Sequence, residues 1–196
     1  MKARAVKGLD PEGALADNAQ KIISVRLDEM CSFMPKAADP AEVVALHDMR
    51  IAAKRLRYIL ELTHPCFGPY AKNAVKMTKD VQDLLGELHD CDVQIPEVRG
   101  FLDELSAADA AVVGPEPAGL KRAPNRAAYA GLVALQVHLH ARRNALFKDF
   151  LELWQDYERK GYRARLEFAI TERSQDGHGD ASTVPVPDAI ISGEDG

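Results

Sequence analysis

The sequence predicts an all-α fold, an antiparallel helical bundle of about five to six helices with a basic groove. Ala, Leu, Glu, Lys and Arg, which favour helices, dominate the body of the chain. The alternation of apolar and polar residues that is typical of strands is nearly absent. Pro and Gly divide the chain into helical segments with short connections, which is typical of helices that pack as neighbours.

The helix boundaries are predicted from local signals. The first helix is expected to stop before Pro35, and Asp39 is expected to cap the second, with Pro40 at its first position. A break is expected at Pro96, because proline lacks a backbone N–H and clashes with the preceding turn. The last helix could be interrupted near Gly161. The predicted helices cover residues 18–34, 40–63, 70–93, 97–107 and 126–172.

The chain is expected to hold one domain. Its 196 residues are enough for a sizeable core, and a composition of 46% hydrophobic and 28% charged residues is ordinary for a globular protein. We predict a flexible N-terminus at 1–14, a helical domain at 15–173 and a disordered acidic tail at 174–196. The tail is expected to be disordered because it has too few large apolar residues to pack.

The sequence predicts a reduced, cytoplasmic protein. No apolar run reaches the roughly 18 residues of a membrane-spanning helix. The charged start "MKARAVKGLDPEG" lacks the apolar block of a secretory signal. Cys31, Cys66 and Cys91 are widely spaced and form no C-x-x-C pair, so no disulfide framework or cysteine metal site is indicated.

Charge is distributed unevenly along the chain. The net charge of −5 equals the charge of the tail, which holds five Asp or Glu and no Lys or Arg, so residues 1–173 are formally neutral. Within them, residues 42–79 hold seven Lys or Arg and three Asp or Glu, a formal charge of +4. Residues 80–109 hold nine acids and one base, a formal charge of −8. A basic surface is therefore compatible with the acidic total.

The segment "LHDMRIAAKRLRYILEL" (46–62) concentrates basic residues along one line of a predicted helix. Arg55 lies off this line, and Glu61, four residues after Arg57, is the only local counter-charge on it. Apolar residues flank the line on both sides, which is unusual for a fully solvated face. The line has the spacing i, i+3, i+7, i+10 and consists of His47, Arg50, Lys54 and Arg57.

Two interpretations of this line are open. It could be a solvated helix face whose basic side chains extend into water. Alternatively it could bind a polyanion, which would offset the repulsion between like charges along the line. The crowding of like charge favours the second interpretation.

A second basic line lies in the third predicted helix. Lys72, Lys76 and Lys79 share one face, and the line ends at Asp83, which could pair with Lys79. Alone, such a row is typical of a wet surface. A short hairpin could place it beside the first line.

The last long helix carries a charged residue within an apolar seam. Arg142 stands where a leucine is expected, and a buried guanidinium is unfavourable unless it is paired. It could form an ion pair with Asp83 or Glu87, or it could project into a ligand pocket; His138, His140 and Arg143 are weaker candidates. The seam has 3-4 spacing and contains Leu132, Leu135, Leu139, Arg142, Leu146, Phe150 and Leu153.

Residues 46–62 resemble the histidine helix of the CHAD family, the histidine-containing α-helical domain. The family signature reads approximately H-x-x-R-h-x-x-[KR]-[KR]-h-R, with h apolar, and is matched here from His47 to Arg57. The segment "VQDLLGELHDCDV" (81–93) is similar to the family's second landmark, a Leu-Gly pair before an Asp-rich helix end. "GLVALQVHLHARRNALFKDFLELW" is similar to its closing helices. The resemblance spans roughly residues 15–170.

The resemblance implies an all-α fold with basic residues lining a channel or groove, and binding of inorganic polyphosphate, often at polyphosphate granules. The phosphate contacts carried over by position are His47, Arg50, Lys54, Arg55 and Arg57. Helical spacing adds Lys72, Lys76, Lys79 and Arg142 to this set. The chain has one clear copy of the motif, because phenylalanines replace the later basic positions that would follow His140 and Arg143. A homodimer could therefore complete the site.

Other functions stay open. His47-Asp48 and His89-Asp90 are HD dipeptides like those of metal-dependent phosphohydrolases, although the cations around His47 would repel a metal. Nucleic-acid binding is less favoured, because aromatic residues make up 6% of the chain and Tyr58 is the only one in the basic segment. A scaffold with a solvated basic face is the third alternative. We therefore predict a binding protein with no catalytic residue, metal or cofactor.

Overall fold

The computed structural model describes residues 2–115 and 117–173, so the predicted acidic tail lies outside the described residues. Within these ranges the chain forms no strand, only an isolated bridge between Phe67 and Arg173, and the predicted all-α fold is confirmed. Short 3₁₀ turns lie at His64–Cys66 and Pro117–Arg122. The helices are α1 (Leu15–Cys31), α2 (Met34–Ala37), α3 (Val43–Thr63), α4 (Tyr70–Val113), α5 (Arg126–Arg159) and α6 (Tyr162–Ala169).

Helices that follow each other in the chain also pack together. α1 packs against α3, α3 against α4, and α4 against α5, while α6 contacts both α4 and α5. One apolar core joins them because each helix buries an apolar stripe. Its fully buried side chains include Ile23, Leu27, Met30, Leu46, Met49, Leu56, Leu60, Leu85, Leu88, Phe150 and Leu166. In the part of the chain that the structure describes, no helix is long and apolar enough to cross a bilayer.

The predicted break at Pro96 is wrong, because α4 continues through it as one helix of 44 residues. Proline removes the hydrogen bond to the carbonyl four residues earlier, and in a helix interior it is about 3 kcal/mol less favourable than alanine. α5 contacts α4 on both sides of this defect: Arg143 pairs with Asp92 before Pro96, and the hydroxyl of Tyr129 donates to Asp109 after it.

The chain enters α3 differently from the sequence-based prediction. α1 ends at Cys31, and Pro35 lies in the first turn of the short α2. Asp39 does not cap α3, which begins at Val43; its carboxylate instead accepts a hydrogen bond from the backbone N–H of Ala41 at 2.8 Å. A turn stabilised by Asp39 therefore precedes α3.

The expected interruption near Gly161 is confirmed. Gly161 has a φ of +67°, a left-handed conformation that favours glycine, and it separates α5 from α6.

At the other end of α5, the buried carboxylate of Asp109 on α4 accepts hydrogen bonds from the side-chain amide of Asn125 and the hydroxyl of Tyr129, both at 2.8 Å. These bonds hold the α4–α5 hairpin together beyond the core.

The segment before α1 contacts the bundle. The backbone N–H of Arg4 donates to Glu29 on α1 at 3.1 Å, and Lys21 donates to the carbonyl of Gly8 at 2.5 Å. The flexibility predicted for residues 1–14 stays a prediction.

Candidate functional site

The two basic lines meet because α3 and α4 run antiparallel in a fixed register. His47 lies against His89, with ring centroids 4.5 Å apart, and Arg50 lies over Gly86. Arg57 follows His47 by ten residues on α3, and Lys79 precedes His89 by ten residues on α4. Asp83 raises the pKa of Lys79, and the nearby charge of Arg57 partly opposes that rise. We define the basic strip as these two lines together: His47, Arg50, Lys54 and Arg57 of α3, with Lys72, Lys76 and Lys79 of α4.

A histidine pair forms one end of the strip. The Nδ1 atoms of His47 and His89 lie 3.3 Å apart, a distance at which the N–H of one ring donates a hydrogen bond to the nitrogen of the other. Burial, then His89 and then Arg50 lower the pKa of His47, and Asp48 opposes them. His47 is therefore neutral at neutral pH in the unliganded protein.

Arg50 lies next to a glycine of the facing helix, Gly86. A Cβ atom added to Gly86 would lie 3.5 Å from Nε of Arg50, with no other heavy atom of a neighbouring group within 4 Å. Among the described residues, Arg50 has neither a hydrogen bond nor an ion pair, so its guanidinium lies across α4 with its charge uncompensated. A methyl group at position 86 would make an ordinary contact with Arg50, so the close approach of the two helices does not depend on glycine there.

The middle of the strip contains buried polar atoms without partners. Arg57 pairs with Glu61 at 3.4 Å, as its spacing predicts, but its Nε–H is buried and meets no acceptor among the described residues. The Oε1 atom of Gln82 on α4 likewise has no donor there. The side chains of Arg57 and Lys54 lie near the ring of Tyr58, at 4.8 Å and 5.7 Å from its centroid. Buried groups in this state normally bind water or a ligand.

The α4 lysines are exposed, as a solvent-facing row requires. The predicted pair between Lys79 and Asp83 is confirmed, with Nζ and Oδ2 2.7 Å apart. The hydrogen bond and charge of Asp83 raise the pKa of Lys79. Lys72 and Lys76 have no acidic partner within the described ranges. They therefore extend the strip beyond Arg57 as uncompensated charges.

Arg55 lies on another side of α3, against α1. Its guanidinium is 3.4 Å from the carboxylate of Glu29, whose side chain is only 2% exposed. Arg26 also pairs with Glu29, at 2.6 Å. The structure therefore does not bring Arg55 together with the basic strip, and its contacts there are those of a packing residue.

Arg143, and not Arg142 as expected, is the largely buried arginine of α5. Arg142 is 48% exposed, so its expected burial in the seam is wrong; of the alternatives open for it, the structure contains the ion pair with Glu87, at 2.9 Å. Arg143 is 12% exposed and donates to Asp92 and to the carbonyl of Pro40, the latter at 2.8 Å. The buried positions of α5 are Leu139, Leu146, Phe147, Phe150, Trp154 and Tyr157, a stripe that includes position 143 rather than 142.

The strip has the chemistry of an anion site. It combines guanidinium and ammonium groups with a pair of imidazoles on two rigid helices, and the described residues contain no group of three or more His, Cys, Asp and Glu placed to hold a metal ion. Arg can bind phosphate oxygens bidentately, and Lys acts as a point charge. The sequence raised His89 only as part of an HD dipeptide and did not pair it with His47, because that contact depends on how two separate helices align.

Comparison with known proteins identifies the family of the chain. No curated protein and no solved structure gives a significant match to the chain. The family model of the CHAD domain matches residues 2–99, half of the chain, and this region contains every residue of the basic strip. The chain therefore belongs to the CHAD family.

Proposed function

We propose that this protein binds inorganic polyphosphate along the basic strip, without hydrolysing it. The observation that carries the proposal is the row of cations that lack an acidic partner in the described residues: Arg50, Lys54, Lys72 and Lys76. Like charges at helical spacing repel by a few tenths of a kcal/mol per pair, so the protein alone gains nothing from the row. A polyanion bound along the strip would remove this repulsion.

The unpartnered Nε–H of Arg57 supports the same ligand. If the Arg57 side chain turns outward, an anionic oxygen at the strip would give this buried donor an acceptor, and hydrogen bonds to charged groups contribute roughly 1.5–3 kcal/mol. The membership of the CHAD family, which is linked to polyphosphate binding in general, adds independent support.

Polyphosphate suits the strip better than nucleic acid does. Single-stranded nucleic acids gain much of their affinity from bases stacked on aromatic rings. Within the described residues, Tyr58 is the one exposed aromatic ring in contact with the basic strip, and Lys54 and Arg57 already lie beside it. Polyphosphate offers the same repeating charge without bases.

The test compares affinity for long-chain polyphosphate with affinity for single-stranded DNA of equal charge, at two salt concentrations. We expect tighter binding of polyphosphate and a steep loss with salt, because bound cations displace counterions from the polymer. Equal affinities for the two polymers would remove the specificity, and no binding would favour a scaffold with a solvated face.

The same assay assigns the site. Arg50→Ala combined with Arg57→Ala should abolish binding while circular dichroism stays unchanged. A matched control is Lys148→Ala with Arg159→Ala, which removes two exposed charges from α5, away from the strip. If the control loses as much affinity as the strip variant, only total charge matters. Metal-dependent phosphate release that is lost in His89→Ala would overturn the assignment as a non-enzyme.

Polyphosphate binding bears on the cellular location and on the oligomeric state of the protein. We infer a cytoplasmic location at polyphosphate granules, which a fluorescent fusion in polyphosphate-rich and polyphosphate-depleted cells would test. A homodimer would join two strips into a longer surface, because the chain has one copy of the His-helix motif. Sedimentation with and without polyphosphate distinguishes the monomer from the dimer.

A further inference from the structure

A second concave surface lies apart from the basic strip. It is a cleft of about 790 Å³ between the ends of α1 and α2, the last part of α5 and the start of α6, and it shares no residue with the strip. Its volume is within the range of small-molecule sites, roughly 300–1,000 Å³. The apolar part of its wall includes Cys31, Met34, Ala38, Leu151, Trp154 and Tyr162.

The charges around this cleft do not balance. Arg163 is the one basic residue in its wall, and it already pairs with Glu167 at 2.9 Å and with Asp28 at 3.2 Å. Glu158 accepts a hydrogen bond from the indole N–H of Trp154 at 2.8 Å. Within the described residues no cation pairs with Glu158, so its negative charge faces the cleft uncompensated.

The same excess of negative charge affects the pKa of the Cys31 thiol. Burial raises its pKa to about 11, and Asp28, Glu167 and Glu158 add to this rise, whereas Arg163 alone opposes it. Cys31 is therefore a neutral thiol in the wall at neutral pH. Within the described residues Glu158 is the carboxylate of the wall without a cationic partner, so the cleft would repel an anionic ligand and attract a cationic one.

We propose that this cleft binds a small organic cation, with its apolar body against Met34 and Leu151 and its ammonium group paired with Glu158. The apolar wall supplies affinity through buried surface, at roughly 25 cal/mol per Å². Glu158 supplies selectivity for positive charge and is held in place by the Trp154 indole. This site is independent of polyphosphate binding.

The single tryptophan of the chain makes the proposal testable, because Trp154 lies in the wall of the cleft. Three probes of equal chain length, hexylammonium, hexanol and hexanoate, are titrated while Trp154 emission is followed. We expect a saturable change with affinity in the order ammonium, alcohol, carboxylate. An exposed ion pair contributes up to about 1 kcal/mol, so hexylammonium should bind about two- to five-fold more tightly than hexanol.

Two variants and a matched control separate the contribution of the Glu158 charge from that of the apolar cleft. Glu158→Gln keeps an acceptor for the indole but should make hexylammonium and hexanol equal. Glu152→Gln removes the same charge from an exposed site on α5 outside the cleft and should change nothing. Ala164→Phe fills the cleft and should abolish the response to every probe. Absence of a saturable response in the wild type, or equal binding of hexanoate and hexylammonium, would overturn the proposal whatever the result with polyphosphate.

Discussion

The Nδ1 atoms of His47 and His89 lie 3.3 Å apart across the interface of α3 and α4. This contact makes the end of the basic strip sensitive to protons. Burial, His89 and Arg50 keep the pKa of His47 below its usual value in the free protein. A bound polyanion favours the charged ring and raises that pKa, so binding takes up a proton.

We therefore expect affinity for polyphosphate to rise as pH falls from about 8 to about 6 at constant ionic strength. Each unit by which binding raises the pKa of His47 increases affinity at most about tenfold, and the rise stops once free His47 is itself protonated. His47→Gln should flatten this profile. His89→Gln removes one cause of the low pKa, so its profile should shift to higher pH. An unchanged profile in His47→Gln would contradict this assignment.

Arg55→Ala should lower stability more than polyphosphate binding. Arg55 contacts the buried carboxylate of Glu29, which would lose one of its donors, although Arg26 remains. We expect unfolding by urea to report a loss of roughly 1–3 kcal/mol, while the folded variant keeps its affinity for polyphosphate. A variant of normal stability with greatly reduced affinity would instead place Arg55 in the site, as the family motif implies.

Asp83→Asn should strengthen polyphosphate binding. Asp83 forms an ion pair with Lys79 in the free protein, and this pair must break when a phosphate binds Lys79. Removing an exposed ion pair of this kind should raise affinity up to about five-fold. The slope of log affinity against log salt should steepen by at most about 0.7–0.9, because the variant has one negative charge fewer at the site. Asp103→Asn, the same charge change in the part of α4 beyond Pro96, is the control and should have little effect.

Thr78→Val should destabilise the fold without affecting the strip. The hydroxyl of Thr78 lies 2.6 Å from that of Tyr162, and both side chains are buried between α4 and α6. Valine leaves the Tyr162 hydroxyl without this partner, which should reduce the free energy of unfolding by roughly 1–3 kcal/mol. Thr78→Ser keeps the hydroxyl and should recover most of that loss. Equal stability of the valine and serine variants would show that the hydrogen bond contributes nothing.

Local patterns predicted the contacts that are themselves local. The pairs Arg57–Glu61 and Lys79–Asp83 follow from four-residue spacing on one helix, and the structure contains both. The helix stop at Gly161 follows from the conformational freedom of glycine.

Features that depend on packing between helices could not be predicted in this way. Pro96 is a local helix breaker, but contacts with α5 on both sides of it outweigh that preference. A 3-4 pattern fixes a seam only to within one residue, which is why Arg142 was expected where Arg143 lies. The partnership of His47 with His89 requires the register of α3 against α4, which neither helix encodes alone.

Because α4 is one continuous helix, positive charge is concentrated at its start and negative charge along the rest of it. Lys72, Lys76 and Lys79 lie in its first turns, and nine acids with a single base follow from Asp80 to Asp109. The backbone dipole of the helix points the same way, with its positive end at Tyr70. A polyanion in solution therefore exerts a torque on the protein before any contact forms. It attracts the Lys72 end of α4 and repels the end near Val113. We expect a long polymer bound along the proposed site to leave the protein past Lys72 rather than across the acidic second half of α4.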